Sequence, residues 1–212
     1  MPFELPGKAQ FRQRERVREG VADTPMRRDP SEVTGVKVFA ANTFADDRGF
    51  LLQSWVSADL RAAGIPTDFK QAIQTYSRRG VVRGLHFQWA PPMGKLVRCI
   101  HGAVLDVVAD VRHGSRTLGD HVAVELSGEN HNVIWVPPGF AHATFGLVDG
   151  AIVLYECTAE HGVGGEGGIR WDDPALGIDW PEIPAIVSPK DRDAPTLAEW
   201  LADSRSQHFR CP

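Results

Sequence analysis

The stretch VRGLHFQWAPPMGKLVRCI (Val82–Ile100), continued by AVLDVVADV (Ala103–Val111), decides the fold. β-Branched and aromatic residues run in segments of strand length, and Pro91-Pro92-Met93-Gly94 breaks the first from the second. These segments read as strands Val82–Gln88, Lys95–Ile100 and Ala103–Val111. Working outward, the same pattern recurs at Val36–Phe39, Phe50–Trp55, Lys70–Ser77, His121–Leu126, Asn132–Val136, His142–Leu147 and Ala151–Thr158. Turn chemistry separates them: Asp46-Asp47-Arg48-Gly49, His113-Gly114-Ser115, Ser127-Gly128-Glu129-Asn130, Pro137-Pro138-Gly139 and Asp149-Gly150. About ten short strands at this spacing predict an all-β sandwich or barrel. Helices are few: Ser57–Ala63, with Ser57 as N-cap and Gly64 as stop, and Thr196–Ala202. Glu160–Gly168 holds five glycines in nine residues and reads as a mobile loop, not a regular strand.

Length and charge narrow the class. The chain has 212 residues, 27 acidic and 23 basic, for a formal net charge of −4. That length suits one domain whose core needs no disulfide or metal to fold. We divide it into an N-terminal arm (1–30), rich in arginine with alternating charge, a β domain (31–195) and a C-terminal tail with a short helix (196–212). The mild acidity lacks the positive field of a nucleic-acid binder. No apolar run approaches a membrane span, and the Arg-rich start is unlike a secretion signal. Cys99, Cys157 and Cys211 have no metal-like spacing, which predicts a reducing cytoplasm.

Polar residues concentrate where structural strands do not need them. In an ideal strand Val82, Gly84, His86 and Gln88 share one face, and Arg83, Leu85 and Phe87 share the other. Taken singly, His86 is a hydrogen-bonded core histidine, Lys95 a solvated strand-entry lysine, and Tyr155 a core aromatic with a satisfied hydroxyl. The histidines show no H-x-H or H-E-x-x-H spacing, so no metal site is expected. Neither a G-x-S-x-G elbow nor a dinucleotide or P-loop glycine pattern follows a strand.

Together, the motifs change that reading. They are DDRGF (Asp46–Phe50), VRGLHFQ (Val82–Gln88), GKLVR (Gly94–Arg98), WVPPGFAH (Trp135–His142), LYECT (Leu154–Thr158), IRWDDPALGIDWP (Ile169–Pro181) and SPKD (Ser188–Asp191). In this order they resemble the dTDP-4-dehydrorhamnose 3,5-epimerases, cupin-type nucleotide-sugar epimerases, over roughly Val36 to Pro195. The resemblance implies a metal-free jelly-roll barrel that dimerises, uses no cofactor, and binds a dTDP-linked 4-keto-6-deoxy sugar. By position His86 matches the family's general base, Asp191 its carboxylate partner and Tyr155 the proton donor on the opposite sugar face. Arg48, Arg83, Lys95, His142, Glu166 and Lys190 match substrate-contacting positions, and Gln71 a further polar contact.

Elementary chemistry agrees with that map. The C–H bonds flanking a ketone are acidic, and removing such a proton leaves an enolate whose oxyanion needs a positioned cation or donor. A neutral histidine is a suitable base near neutral pH, with an aspartate to hold its tautomer. Lys95 is the candidate for the enolate oxygen, assisted by His142, and Arg48 and Arg83 suit diphosphate oxygens. Three departures stand out: Gln53 replaces a glutamate at a substrate-contacting position, Ile73 replaces an asparagine, and Ala159, Glu160 and His161 replace tyrosines. They fit a specialised branch making a deoxysugar for a secondary metabolite or surface glycan. Two alternatives are a 3-only or 5-only epimerase or 3,4-ketoisomerase, and a non-catalytic sugar-nucleotide-binding cupin. Retention of the His86, Asp191 and Tyr155 set argues against the second, because binding alone needs no opposed base and acid.

Overall fold

The computed structural model describes residues 33 and 35–211, so the expected arm, residues 1–30, lies outside the described residues. In chain order the elements are β1 (Lys37–Ala40), β2 (Asn42–Asp46), β3 (Gly49–Gln53), α1 (Ser57–Ala62), β4 (Gln71–Ser77), β5 (Val81–Ala90) and β6 (Lys95–His101). There follow β7 (Ala103–Asp110), β8 (His121–Ser127), β9 (Asn132–Val136), β10 (Phe140–Gly146), β11 (Ala151–Cys157) and β12 (Gly165–Gly168). The chain closes with β13 (Ile186–Val187), α2 (Pro189–Arg192), α3 (Leu197–Ala202) and a 3₁₀ turn over Ser204–Phe209.

Strands β1-β9-β6-β11-β4 form one antiparallel sheet, and β12-β5-β10-β7-β8 form the other, with β13 added parallel to β5. Valines and other apolar residues from both sheets meet between them: Val97 and Cys99 of β6, Val104 and Val108 of β7, Val122 and Leu126 of β8, Ile134 and Val136 of β9, and Val153 of β11. This is the expected all-β jelly-roll barrel. Its outer faces are covered too. Leu60 and Ile65, in and just after α1, pack on Leu96, Val133 and Trp135 of the first sheet. Leu197, Trp200 and Phe209 of the C-terminal segment pack on Leu85 and Phe87 of the second. Each such apolar side chain contributes roughly 1.5–3 kcal/mol when fully buried. Among the described residues no helix is long and apolar enough to cross a membrane.

Three local expectations need correction. Among the described residues β2 and β3 pair only with each other, in a hairpin outside both sheets, and the sequence offered no strand at β2. Phe44, Phe50 and Leu51 of that hairpin are exposed. Ser57 is not the cap of α1; Val56 occupies that position without a side-chain hydrogen bond. The glycine-rich segment does form a strand over Gly165–Gly168, paired with β5. Its glycines let backbone lie flat on an aromatic wall: a Cβ on Gly165 would sit 2.1 Å from Trp89 Nε1.

The fourth correction shapes the site. β5 does not alternate strictly, because His86 pairs with His142 while Arg83 pairs with Thr144, so three steps on β5 match two on β10. This bulge puts Arg83 and His86 on one face, where an ideal strand would separate them. It is centred on Gly84, whose φ is +133° and whose added Cβ would lie 2.5 Å from both Ala143 Cβ and His142 O. Only glycine fits there.

Candidate active site

Inside the barrel the apolar packing gives way to polar side chains toward the β4, β5 and β12 side. His86 on β5 is partly exposed, and its Nε2 lies 2.6 Å from Asp191 Oδ1. Asp191 is brought there by α2, which Ser188 caps: the Asp191 N–H donates to Ser188 Oγ at 3.1 Å, with Pro189 favouring the first helical position. Burial pushes the Asp191 carboxyl up, but the hydrogen bond and charge of His86 outweigh it, helped by Ser188 and the Gly84 N–H. The net result is a carboxyl held below its usual range.

Tyr155 stands on β11, in the opposite sheet. In register it faces Ile73 of β4 and Val97 of β6. Burial drives its phenol up to about 12, with partial relief from Thr144. Its ring meets that of His142 edge-on, with centroids 5.9 Å apart. His142 in turn neighbours His86 across the β5–β10 ladder. The base and acid candidates therefore occupy facing walls of one barrel, linked through His142.

Lys95 opens β6, beside Cys157 of β11. Its ammonium makes no hydrogen bond or ion pair among the described residues, and desolvation lowers its pKa against the opposing charges of Cys157, Asp106 and Glu166. An unpaired, desolvated cation is poised to meet an anion. Glu166 on β12 bridges Lys190 Nζ (3.1 Å) and His161 Nδ1 (3.3 Å). Burial raises its carboxyl, yet Lys190, His161 and His86 together bring it below the ordinary value. Gln71 accepts the His161 N–H at 2.8 Å, so it holds this rim by its backbone. Arg83 crosses between the sheets, donating to Ser77 Oγ (3.0 Å) and the Tyr76 carbonyl (2.9 Å).

Two expected site residues stand apart. Arg48 lies at the hairpin turn with 90% of its side chain exposed, bonded to Asp46 of the same turn. Gln53 is exposed at the foot of that hairpin, opposite Asn42. Sequence reasoning also missed members of the pocket. Asp106, wholly buried on β7, lies 2.8 Å from His142 Nε2. The signal was present: an acidic residue between Val104 and Val108 on an interior face is costly unless paired. Thr75 and Thr144 carried no comparable signal. Among the described residues no three acidic, histidine or cysteine side chains are grouped so as to hold a metal ion.

The chemistry such an arrangement supports is proton removal from one side of a bound molecule and proton return from the other, beside a fixed cation. Comparison with known proteins points the same way. The family model described as dTDP-4-dehydrorhamnose 3,5-epimerase matches residues 30–199. A protein of that name from Methanothermobacter thermautotrophicus is 40% identical over 172 residues, covering 80% of this chain and 93% of the relative. A Legionella pneumophila 3,5-epimerase, solved in complex with dTDP-4-keto-L-rhamnose, is 39% identical with a TM-score of 0.76, covering 81% of this chain and 91% of that one. A 3'-monoepimerase from Streptomyces bikiniensis, in complex with dTDP-quinovose, is 31% identical with the same TM-score of 0.76, covering 83% and 89%. Matched over most of its length in sequence and in fold, the chain belongs to the dTDP-4-dehydrorhamnose 3,5-epimerase family, whose members are isomerases.

Proposed function

We propose that this protein epimerises a dTDP-linked 4-keto-6-deoxyhexose at carbons flanking the ketone. The observation that carries the reading is the placement of the His86–Asp191 pair and Tyr155 on facing walls of the same barrel. His86 removes the proton from the carbon next to the ketone and becomes an imidazolium against Asp191. The C–H electron pair moves into the enolate, whose oxygen meets the Lys95 ammonium. Tyr155 then delivers its phenol proton to the opposite face of the carbon, and solvent restores the proton on Tyr155 as His86 releases its own. Because burial holds the phenol near 12, Tyr155 is protonated and ready to donate across the neutral range. Arg83 and Lys190 supply charge at the rim for the diphosphate, with Gln71 and Glu166 holding the rim in place.

Arg48 enters through a second copy of the chain. A hairpin that belongs to neither sheet, with exposed Phe44, Phe50 and Leu51 and an exposed guanidinium at its tip, fits a homodimer in which each hairpin reaches its partner's pocket. The three free cysteines fit a reducing, cytoplasmic setting. The test is incubation with dTDP-4-keto-6-deoxyglucose in deuterated water. Deuterium is expected at C3, C5 or both, with the epimer appearing; exchange at neither carbon overturns the reading.

A further inference from the structure

The mechanism above leaves Asp106, one of the most deeply buried ionisable groups, unused. Asp106 has no solvent exposure, sits on β7 between Val104 and Val108, and has those valines in the apolar core on either side. A carboxylate in such surroundings is expensive unless a partner compensates it. Its partner is His142: Nε2 lies 2.9 Å from Oδ1 and 2.8 Å from Oδ2, both oxygens sharing one ring nitrogen. The pair is as enclosed as the core itself, with 3% of the His142 side chain exposed. An acceptor-only carboxylate on Nε2 requires the proton to be on that nitrogen. Nδ1 then makes no hydrogen bond among the described residues, on a ring that touches Tyr155 and neighbours His86.

We propose, resting on the epimerase reading, that Asp106 is a positioning residue of the reaction: it fixes the His142 ring so that Nδ1 addresses the bound sugar, and places a fixed negative charge in the barrel interior. The second half follows from the same location. Asp106 acts on Lys95 with opposite charge and on Tyr155 with a charge that opposes phenolate. One carboxylate therefore favours the ammonium on Lys95 and the neutral phenol on Tyr155, the two protonated forms an enolate-forming reaction needs. The other groups acting on Lys95 are Cys157 of β11 and Glu166 of β12, while His142 of β10 and Tyr155 of β11 share its pocket.

Asp106→Asn keeps the shape, removes the charge and leaves an amide that no longer dictates which His142 nitrogen carries the proton, so it tests both roles. In the full-length protein we expect kcat to fall at least roughly tenfold with KM changed less than threefold, because the group orients a working histidine without touching substrate. The alkaline limb of the kcat profile is expected to move to lower pH, since Lys95 loses an opposing charge. Unchanged kcat together with an unmoved alkaline limb overturns the proposal. A second measurement stands independently of that variant's folding: ¹⁵N spectra of wild-type His142 are expected to show a proton on Nε2 at neutral pH. A ring protonated on Nδ1 alone overturns the proposal. Absence of deuterium exchange in the wild type would overturn the epimerase reading instead, while the ¹⁵N result would still report on the Asp106–His142 pairing.

Discussion

Arg83 and His86 lie three positions apart on β5 yet face the same interior, because the strand bulges at Gly84 between them. The bulge puts a permanent cation at the rim and an imidazole in the pocket from a single strand. Gly84→Ala is expected to break this arrangement. The added methyl would meet Ala143 Cβ and His142 O at 2.5 Å, and the backbone would keep a φ of +133° that alanine disfavours. Strain and overpacking of this kind cost roughly 2–5 kcal/mol together. Denaturant unfolding should show the loss of stability, and wild-type stability would mean the ladder slips at no cost.

His86→Ala is expected to remove deuterium exchange at both flanking carbons while the fold persists, since His86 is half-exposed and its loss leaves no buried void. A general base contributes about 10²–10⁴-fold, and an NMR time course resolves that range. Asp191→Asn should be severe as well, because it leaves the imidazolium without its counter-charge. It also bears on stability. The depressed Asp191 carboxyl stabilises the fold above the ordinary aspartate range, and that contribution fades as pH falls through the folded value. The variant should therefore be less stable than wild type at neutral pH, with the gap closing in acid.

The alkaline limb of activity is expected to come from Lys95, not Tyr155. Desolvation brings the lysine below its usual 10.5, whereas the phenol stays protonated up to about 12. Activity should fall as pH rises through the lowered lysine value. Lys95→Arg carries a charge that does not titrate in this range, so its rate, though reduced by the bulkier head, should lack that limb. A limb that persists unchanged in the arginine variant would assign it to another group.

Arg48 yields a complementation experiment. Arg48→Ala and His86→Ala protomers are each expected to be poorly active alone. In a mixed dimer one pocket recovers both an intact His86 and the partner's Arg48, so activity should return on mixing after dissociation. No recovery would place Arg48 outside the partner's pocket.

Much of the fold was legible because period-two runs and turn residues mark strands directly, as between Lys95 and Val111. What escaped depends on long-range contacts. The strand at Gly165–Gly168 looks like a loop until the Trp89 wall that demands its glycines is in place. Strict alternation misassigned Arg83 because a bulge is set by the close approach of β10, which no local pattern reveals. In the site, Asp191 and His86 are 105 positions apart, so their pairing came from motif resemblance, not from spacing. Asp106 was readable in principle as a lone acid among inward valines, and was passed over because its partner lies on another strand.

The central claim is that His86 and Tyr155 work from opposite faces of the sugar, and Tyr155→Phe tests it most directly. The phenyl ring fills nearly the same volume, so the comparison reports the hydroxyl. With the donor gone, His86 can still abstract the proton and return one to the face it came from. In deuterated water the variant is therefore expected to keep measurable exchange at the flanking carbons while epimer formation falls much further. Equal loss of exchange and inversion, or inversion at the wild-type rate, would contradict the opposed base and acid.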